Sequence, residues 1–350
     1  MQEIRKTFDY CGLKYEVLEL GEGWKLVVAQ HGGHVFGPFS ERYPEGIFWM
    51  PESVKDPDSY KKLVDSRDWN TGGDRVWVAP EIQFNIKDRK RYRETLDTPK
   101  TIDPGDFSME RSKNAVILRQ SMDLESYNTV TGRIHVELVR TIHKALNPLR
   151  KLEDCDILMQ GVSWCGFEQV LDLKAESGQD IYAESWDLVQ IRPMGTLYIP
   201  MYRPLRGTDH YEPAGRHEYL GGHGVCLRIT GDSRYKIGYK SAALTGRFGY
   251  MSDGQDGESC LIIINYPNNP SAMYSEEPPL LEGDTGYSVH IYNDDGNSGG
   301  FAEMECNMQT IGRPTGLNRS IERVTKWIYT GKKERLKGIA EALLGYGFEN

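Results

Sequence analysis

The chain has 350 residues, with 42 Lys plus Arg against 51 Asp plus Glu, a formal net charge of -9 and 39% hydrophobic residues. That apolar content supports a packed core and argues against a disordered chain. No stretch approaches the roughly 18 consecutive apolar residues of a membrane-spanning helix. The opening MQEIRKTFDYCG lacks the apolar region of a signal peptide. The acidic balance argues against nucleic acid as the main partner. The length fits two ordinary domains or one large β domain.

In chain order, residues 24–28 alternate weakly and 115–119 form a strand candidate. Residues 133–143, RIHVELVRTIH, place Ile134, Val136, Leu138 and Ile142 on one face and His135, Glu137, Thr141 and His143 on the other. Period two marks a half-buried strand. Residues 167–173, 197–201, 224–229, 235–239, 261–265, 287–293, 301–306 and 320–329 read the same way. Helix signals are fewer. Residues 332–344 repeat apolar positions at helical spacing through Leu336, Ile339, Ala340, Leu343 and Leu344, with Gly345 placed to stop them. Residues 51–63 are a weaker helix candidate. Many short strands, few helices and no linker-like run predict an all-β sandwich or barrel, one domain over residues 1–350.

Six cysteines, at 11, 155, 165, 226, 260 and 306, show no CxxC spacing. They read as reduced, mostly buried thiols, for which a cytoplasmic protein is the simplest account. The sequence has no G-x-G-x-x-G after a strand, no P-loop, no HExxH and no GxSxG. His31-Gly-Gly-His34 reads as a turn, since no Cys, Asp or Glu cluster sits beside it. His210, His217 and His223 lie in a Gly/Pro-rich stretch that suits a loop over a site, with metal binding the minority reading.

Three segments carry candidate chemistry. Residues 68–81, DWNTGGDRVWVAPE, put a Gly72-Gly73 turn before Asp74 and Arg75, flanked by Trp69 and Trp77. Carbohydrate sites use this mixture. Aromatic faces cover the C–H face of a pyranose, and Asp74, Arg75 and Glu81 are the polar groups for its hydroxyls. The same residues also fit a plain turn with a local ion pair and core tryptophans. Residues 288–306 place His290, Tyr292 and Asp294 on one strand face and Glu303 and Glu305 on one face of the next. A His or Tyr facing a carboxylate across paired strands can move protons between oxygen atoms, and a carboxylate buried among aromatics has a raised pKa. A hairpin with a polar outer face fits equally. In residues 234–240, RYKIGYK, an inward Lys236 could bind an anionic sugar substituent; alternatively, the basic residues form a solvated face.

The order of these segments resembles bacterial proteins of the galactose-mutarotase-like, or aldose-epimerase-like, superfamily. The resemblance runs through VVAQHGG at 27–33, NTGGDRVWVAPE at 70–81, residues 166–173 with SWDL at 185–188, K-I-G at 236–238, Y-N-D at 292–294, E-M-E at 303–305 and the C-terminal strand and helix. It implies a β-supersandwich of two large, mainly antiparallel sheets that binds a small-molecule carbohydrate in a concave face. It also implies mutarotase- or epimerase-type isomerase chemistry without metal or organic cofactor. A glutamate takes the anomeric hydroxyl proton while a histidine protonates the ring oxygen.

The resemblance puts that glutamate on Glu305, with Glu303 as fallback, and makes Arg75 a sugar-binding arginine. Residues 180–191, DIYAESWDLVQI, match the segment that carries the family's acid histidine but contain none. His290, Tyr292 and Lys236 are the replacement candidates. Glu305 and His290 are therefore the expected catalytic pair. Arg75, Trp77, Asp74, Glu81, Lys236, Tyr292 and Glu303 are the expected sugar contacts. A carbohydrate-binding protein without catalysis, and a glycoside-cleaving hydrolase or lyase using Glu81 with Glu305, are the alternatives. The Asp/Asn-rich loop at 293–297 is a candidate for a structural cation.

Overall fold

The computed structural model describes residues 1–176, 180–254 and 257–345. Its strands form two large sheets, and every strand pairing among the described residues is antiparallel. The nine-stranded sheet runs Tyr15–Gly21, Trp24–Ala29, Val35–Phe39, Asp74–Ala79, Glu184–Ile191, Ala302–Asn307, Tyr287–Asn293, Tyr235–Lys240 and Thr208–Asp209. The ten-stranded sheet runs Glu218–Leu220, Gly224–Ile229, Gly195–Pro200, Arg247–Asp253, Ser259–Asn265, Arg319–Gly331, Ser163–Ala175, Gly132–Lys144, Ala115–Ser126 and Ser108–Arg111.

The alternation read from the sequence sets the layers. In Gly132–Lys144, Ile134, Val136, Leu138 and Ile142 are buried in the core while Glu137 is exposed. These residues meet Val76, Val78, Val189, Ile291 and Met304 of the other sheet in one apolar cluster. The strands at Gly224–Ile229 and Tyr287–Asn293 have the expected bounds, and most others run past at least one predicted end. Hydrogen-bonded pairing carries the ladder beyond the point where the apolar signal stops.

The C-terminal helix, Lys333–Leu344, lays Leu336, Ile339, Ala340, Leu343 and Leu344 on Tyr198, Leu261, Ile263, Trp327 and Tyr329. It ends where Gly345 takes φ 81°, a left-handed conformation that a side chain disfavours. The weaker helix candidate resolves into a turn at Glu52–Lys55 and a helix at Pro57–Asp65, with Pro57 in the first turn, where its missing N–H costs nothing. The N-terminal helix, Gln2–Cys11, was not expected. Its ten residues bury only Ile4, Thr7 and Phe8, a stripe too short to stand out by periodicity.

The six cysteines are free thiols, three of them buried. No helix among the described residues is long and apolar enough to cross a membrane.

Candidate functional site

Alternation along the nine-stranded sheet sends one set of side chains between the sheets and the other to its outer face. Val76, Met304 and Ile291 go inward. Arg75 and Trp77, Trp186 and Gln190, Glu303 and Glu305, His290 and Tyr292, and Lys236 go outward from five adjacent strands. Register places them side by side. Glu305 pairs with Leu188 and His290, Glu303 with Gln190 and Tyr292, Tyr292 with Lys236, and Trp77 with Trp186.

Loops then close over this face. They bring Glu81 at the head of the Glu81–Phe84 turn, residues 96–98, Tyr211, Glu276 and the 294–298 turn. Between them lies a cavity of about 290 Å³, lined by Trp69, Trp77, Trp186, Tyr211 and Tyr292 together with Glu81, Arg234, Lys236, Glu303, Glu305 and further polar residues. That volume sits at the small end of ligand cavities, which run about 300–1,000 Å³.

The floor is an ion cluster around Lys236, which is 2% exposed. Its Nζ lies 2.8 Å from Glu81 Oε2 and 3.5 Å from Glu305 Oε2. It also stands 4.3 Å from the ring centroid of Trp186. Trp186 Nε1 donates to the same Glu305 oxygen at 3.0 Å, and the Tyr211 hydroxyl donates to Glu81 Oε2 at 2.7 Å. Glu276 accepts from the backbone N–H groups of Glu81 and Ile82.

Carboxyl groups outnumber ammonium groups here, and all are out of water. Burial pushes Glu305 up to about 8, against the pull of Lys236 and with Glu303 and Glu81 adding to the rise. Glu276 is likewise raised to about 8, first by burial. Burial disfavours the Lys236 charge, but Glu305, Glu81 and Glu276 overcome it and hold its pKa above the ordinary lysine value. The result is a carboxyl poised to carry a proton near neutrality, beside a permanent cation.

Several expected contacts fall into place differently. Glu81, Trp77, Lys236, Tyr292, Glu303 and Glu305 line the cavity. Arg75 lies behind it, fully buried. Its guanidinium sits 5.0 Å from the Trp69 ring and 4.6 Å from the Trp77 ring and bonds Glu303 at 2.5 Å. Arg75 therefore holds the wall and orients Glu303. Gln190 reaches the same Glu303 oxygen at 3.2 Å.

Asp74 is not a cavity residue. Adjacent residues of a strand point to opposite faces, so Arg75 outward means Asp74 inward. Its carboxylate is spent on Lys326, at 2.6 Å, and on Arg140, both from the ten-stranded sheet. His290 shares the outer face but lies buried to one side of the cavity lining. Its Nδ1 is 3.2 Å from Asn307 Oδ1.

The 293–297 loop folds around its own acid. Asp294 accepts backbone N–H bonds from Gly296 at 3.0 Å, Ser298 at 3.1 Å and Gly300 at 2.9 Å, and Tyr292 donates to it at 3.3 Å. The strand ends at Asn293, so Asp294 belongs to the turn. No group of three or more His, Cys, Asp or Glu among the described residues is placed to hold a metal ion.

His34 bonds Gly72 O and Asp103 at 2.9 Å each, and Asp103 in turn accepts from Trp77 Nε1 at 2.8 Å. The histidine–glycine turn thus braces a cavity tryptophan. Gly72 and Gly73 hold φ of 93° and 81°, and a Cβ on Gly73 would lie 2.5 Å from Val35 O. That close approach is why glycines precede this strand. Tyr211 and Glu276 were not singled out from the sequence. Both come from irregular segments with no periodicity to assign them a face.

No family model matches the chain, and no curated protein matches it. Among solved structures it is similar to the Slr1438 protein from Synechocystis sp. PCC 6803, at 11% identity over 91% of this chain and 94% of that one, TM-score 0.48. It is similar to a galactose mutarotase related enzyme from Lactobacillus acidophilus, at 10% identity over 91% and 97%, TM-score 0.47. A GalM/aldose epimerase homologue from C. elegans is similar at 7% identity over 91% and 99%, TM-score 0.45.

Proposed function

We propose that this chain binds a small carbohydrate in the outer-face cavity and acts on it by acid–base chemistry at the anomeric centre, as a mutarotase- or epimerase-type isomerase. The observation that carries this reading is the juxtaposition of five aromatic rings with the buried Glu305, whose pKa is raised to about 8 next to Lys236. The rings suit the C–H faces of a pyranose. In its carboxylate form, which gains weight as pH rises toward 8, Glu305 takes the proton of the anomeric hydroxyl. As that O–H bond breaks, a carboxyl O–H forms, and the nearby ammonium of Lys236 stabilises the developing oxyanion. Glu81, Glu303 and Tyr292 hold hydroxyls, and Arg75 acts through Glu303. The modest cavity favours a monosaccharide over a polymer.

The test is NMR magnetisation exchange between anomers across a panel of aldoses, uronic acids and sugar phosphates. One sugar should exchange faster with the protein present, and Glu305→Gln should lower that acceleration by about 10²–10⁴-fold while leaving binding. Saturable binding with no exchange would make this a binding protein. Cleavage of a disaccharide or modified glycoside would move the assignment to glycoside cleavage.

A further inference from the structure

Arg75, Lys236 and Arg234 stand at the outer-face cavity and differ in what already holds their charge. Arg75 lies behind the wall, bonded to Glu303 at 2.5 Å. Lys236 lies on the floor, with Glu81 at 2.8 Å and Glu305 at 3.5 Å. Arg234 lines the cavity two residues before Lys236, half-buried, and among the described residues it forms no ion pair. Its titratable neighbours are Tyr292, Tyr211 and Glu212. Each has another partner: Tyr211 donates to Glu81, Tyr292 donates to Asp294, and Glu212 bonds Arg93 at 3.0 Å. The Arg234 guanidinium carbon stands 5.4 Å from the Tyr211 ring centroid. That cation–π contact holds the group in place and leaves its N–H groups to other partners. Its buried Nε has no hydrogen-bond partner.

An arginine pinned on a cavity wall with its charge unpaired suits an anionic group of the ligand. The sequence pointed to Lys236 for that role, but Glu81 and Glu305 already face that ammonium. The same walls limit the anion. Asp97, Asp294 and Asp295 also line the cavity. Asp294 is held by backbone N–H groups, while Asp97 and Asp295 are exposed to water, which screens them. One negative charge is tolerated there, and a second is opposed by these like charges. A carboxylate carries one charge, and its two oxygens match the guanidinium fork. Residues two apart along an extended chain are separated by about 6–7 Å. A pyranose whose anomeric hydroxyl meets Glu305 beside Lys236 can therefore reach Arg234 with a group on its exocyclic carbon.

We propose that the sugar is a hexuronate and that Arg234 binds its carboxylate. This deepens the carbohydrate reading of the cavity and rests on it. Arg234 decides which sugar enters and takes no part in proton transfer.

The experiment is isothermal titration calorimetry of the whole chain near neutral pH. The ligands are glucuronate, galacturonate and mannuronate, the carboxyl methyl ester of each, the matching neutral aldoses and glucose 6-phosphate. The methyl ester keeps the ring and removes the charge. One uronate should bind about 10–100-fold more tightly than its ester, the range for hydrogen bonds to a charged group. Arg234→Gln should bring that ratio to unity. Arg234→Lys, which keeps the charge without the fork, should retain part of it. A uronate that binds no more tightly than its ester, or a preference that survives Arg234→Gln, overturns the inference while sugar binding stands. So does glucose 6-phosphate binding more tightly than every uronate. If no sugar binds, neutral or charged, the carbohydrate reading falls and takes this inference with it. The two failures thus give different titrations.

Discussion

Two of the ion clusters that the molecule buries lie on opposite faces of the same sheet and differ in balance. Between the sheets, Lys326 bonds Asp74 at 2.6 Å and Asp187 at 2.5 Å, Arg140 bonds Asp74, and Gln169 bridges Arg140 and Asp187. Two acids meet two bases, all at most 1% exposed, with Asp74 and Asp187 from one sheet and Arg140, Gln169 and Lys326 from the other. On the outer face, Glu81 and Glu305 touch Lys236 directly, Glu276 acts on it through its charge, and a cavity opens beside them. Charge is matched where the cluster joins two sheets. It is left in excess, and so made up by protons, where the cluster meets a ligand-sized space. Burial alone does not separate a structural ion network from a chemical one; the count of acids against bases does.

The largest expected effect breaks the inner cluster. Lys326→Met leaves two carboxylates facing each other between the sheets and should cost about 3–5 kcal/mol, the range for removing one partner of a buried pair. Urea denaturation measures it. Lys236→Met should cost less stability than Lys326→Met, because Glu305 and Glu276 already carry protons near neutrality. Equal losses in the two variants would erase the distinction drawn between the clusters.

The second effect is a slope of stability with pH. Glu305 and Glu276 have folded pKa values of about 8 against an ordinary 4.5. The folded state thus binds more protons than the unfolded chain between those values. The stability these groups contribute is complete below about pH 4.5 and is lost as pH rises through about 8. Denaturation midpoints measured from pH 5 to 9 should fall, and Glu305→Gln should flatten part of that fall. A Glu305→Gln profile parallel to that of the parent protein would place the titration elsewhere.

The smallest effect sharpens the outer face. Gly238→Ala introduces a methyl 2.5 Å from His210 Nε2 and should cost about 1–3 kcal/mol as an overpacked site. Thermal unfolding with and without a bound sugar reads it, and the inner cluster should not respond.

Particular residues show how far the chain could be read before folding. The alternation of 133–143 and 287–293 is a local consequence of strand geometry, and both strands stand where that pattern puts them. Glu303, Glu305, His290 and Tyr292 were legible as residues of neighbouring strand faces for the same reason. Lys236 was harder. Its alternation with Tyr235 and Ile237 says that it opposes them but not that loops cover it, and a covered lysine with two carboxylates differs wholly from a solvated one. Asp74 and Arg75 make the point within one dipeptide. Period two dictates that they part company, yet which of them enters the sandwich depends on the register of Asp74–Ala79 against Glu184–Ile191.

What the sequence by itself determined is therefore the strands, the C-terminal helix with its glycine stop, and which side chains share a face. These follow from backbone geometry and apolar periodicity over a few residues. What only the tertiary structure decided is which face is interior, that Tyr211 and Glu276 join Glu81 over Lys236, and that a cavity remains among the tryptophans. These depend on pairings between residues more than a hundred positions apart, such as Lys236 with Glu81 and Trp186 with Glu305. Local pattern carries no record of such distant contacts, because their free energy is gained only when the sheets have closed.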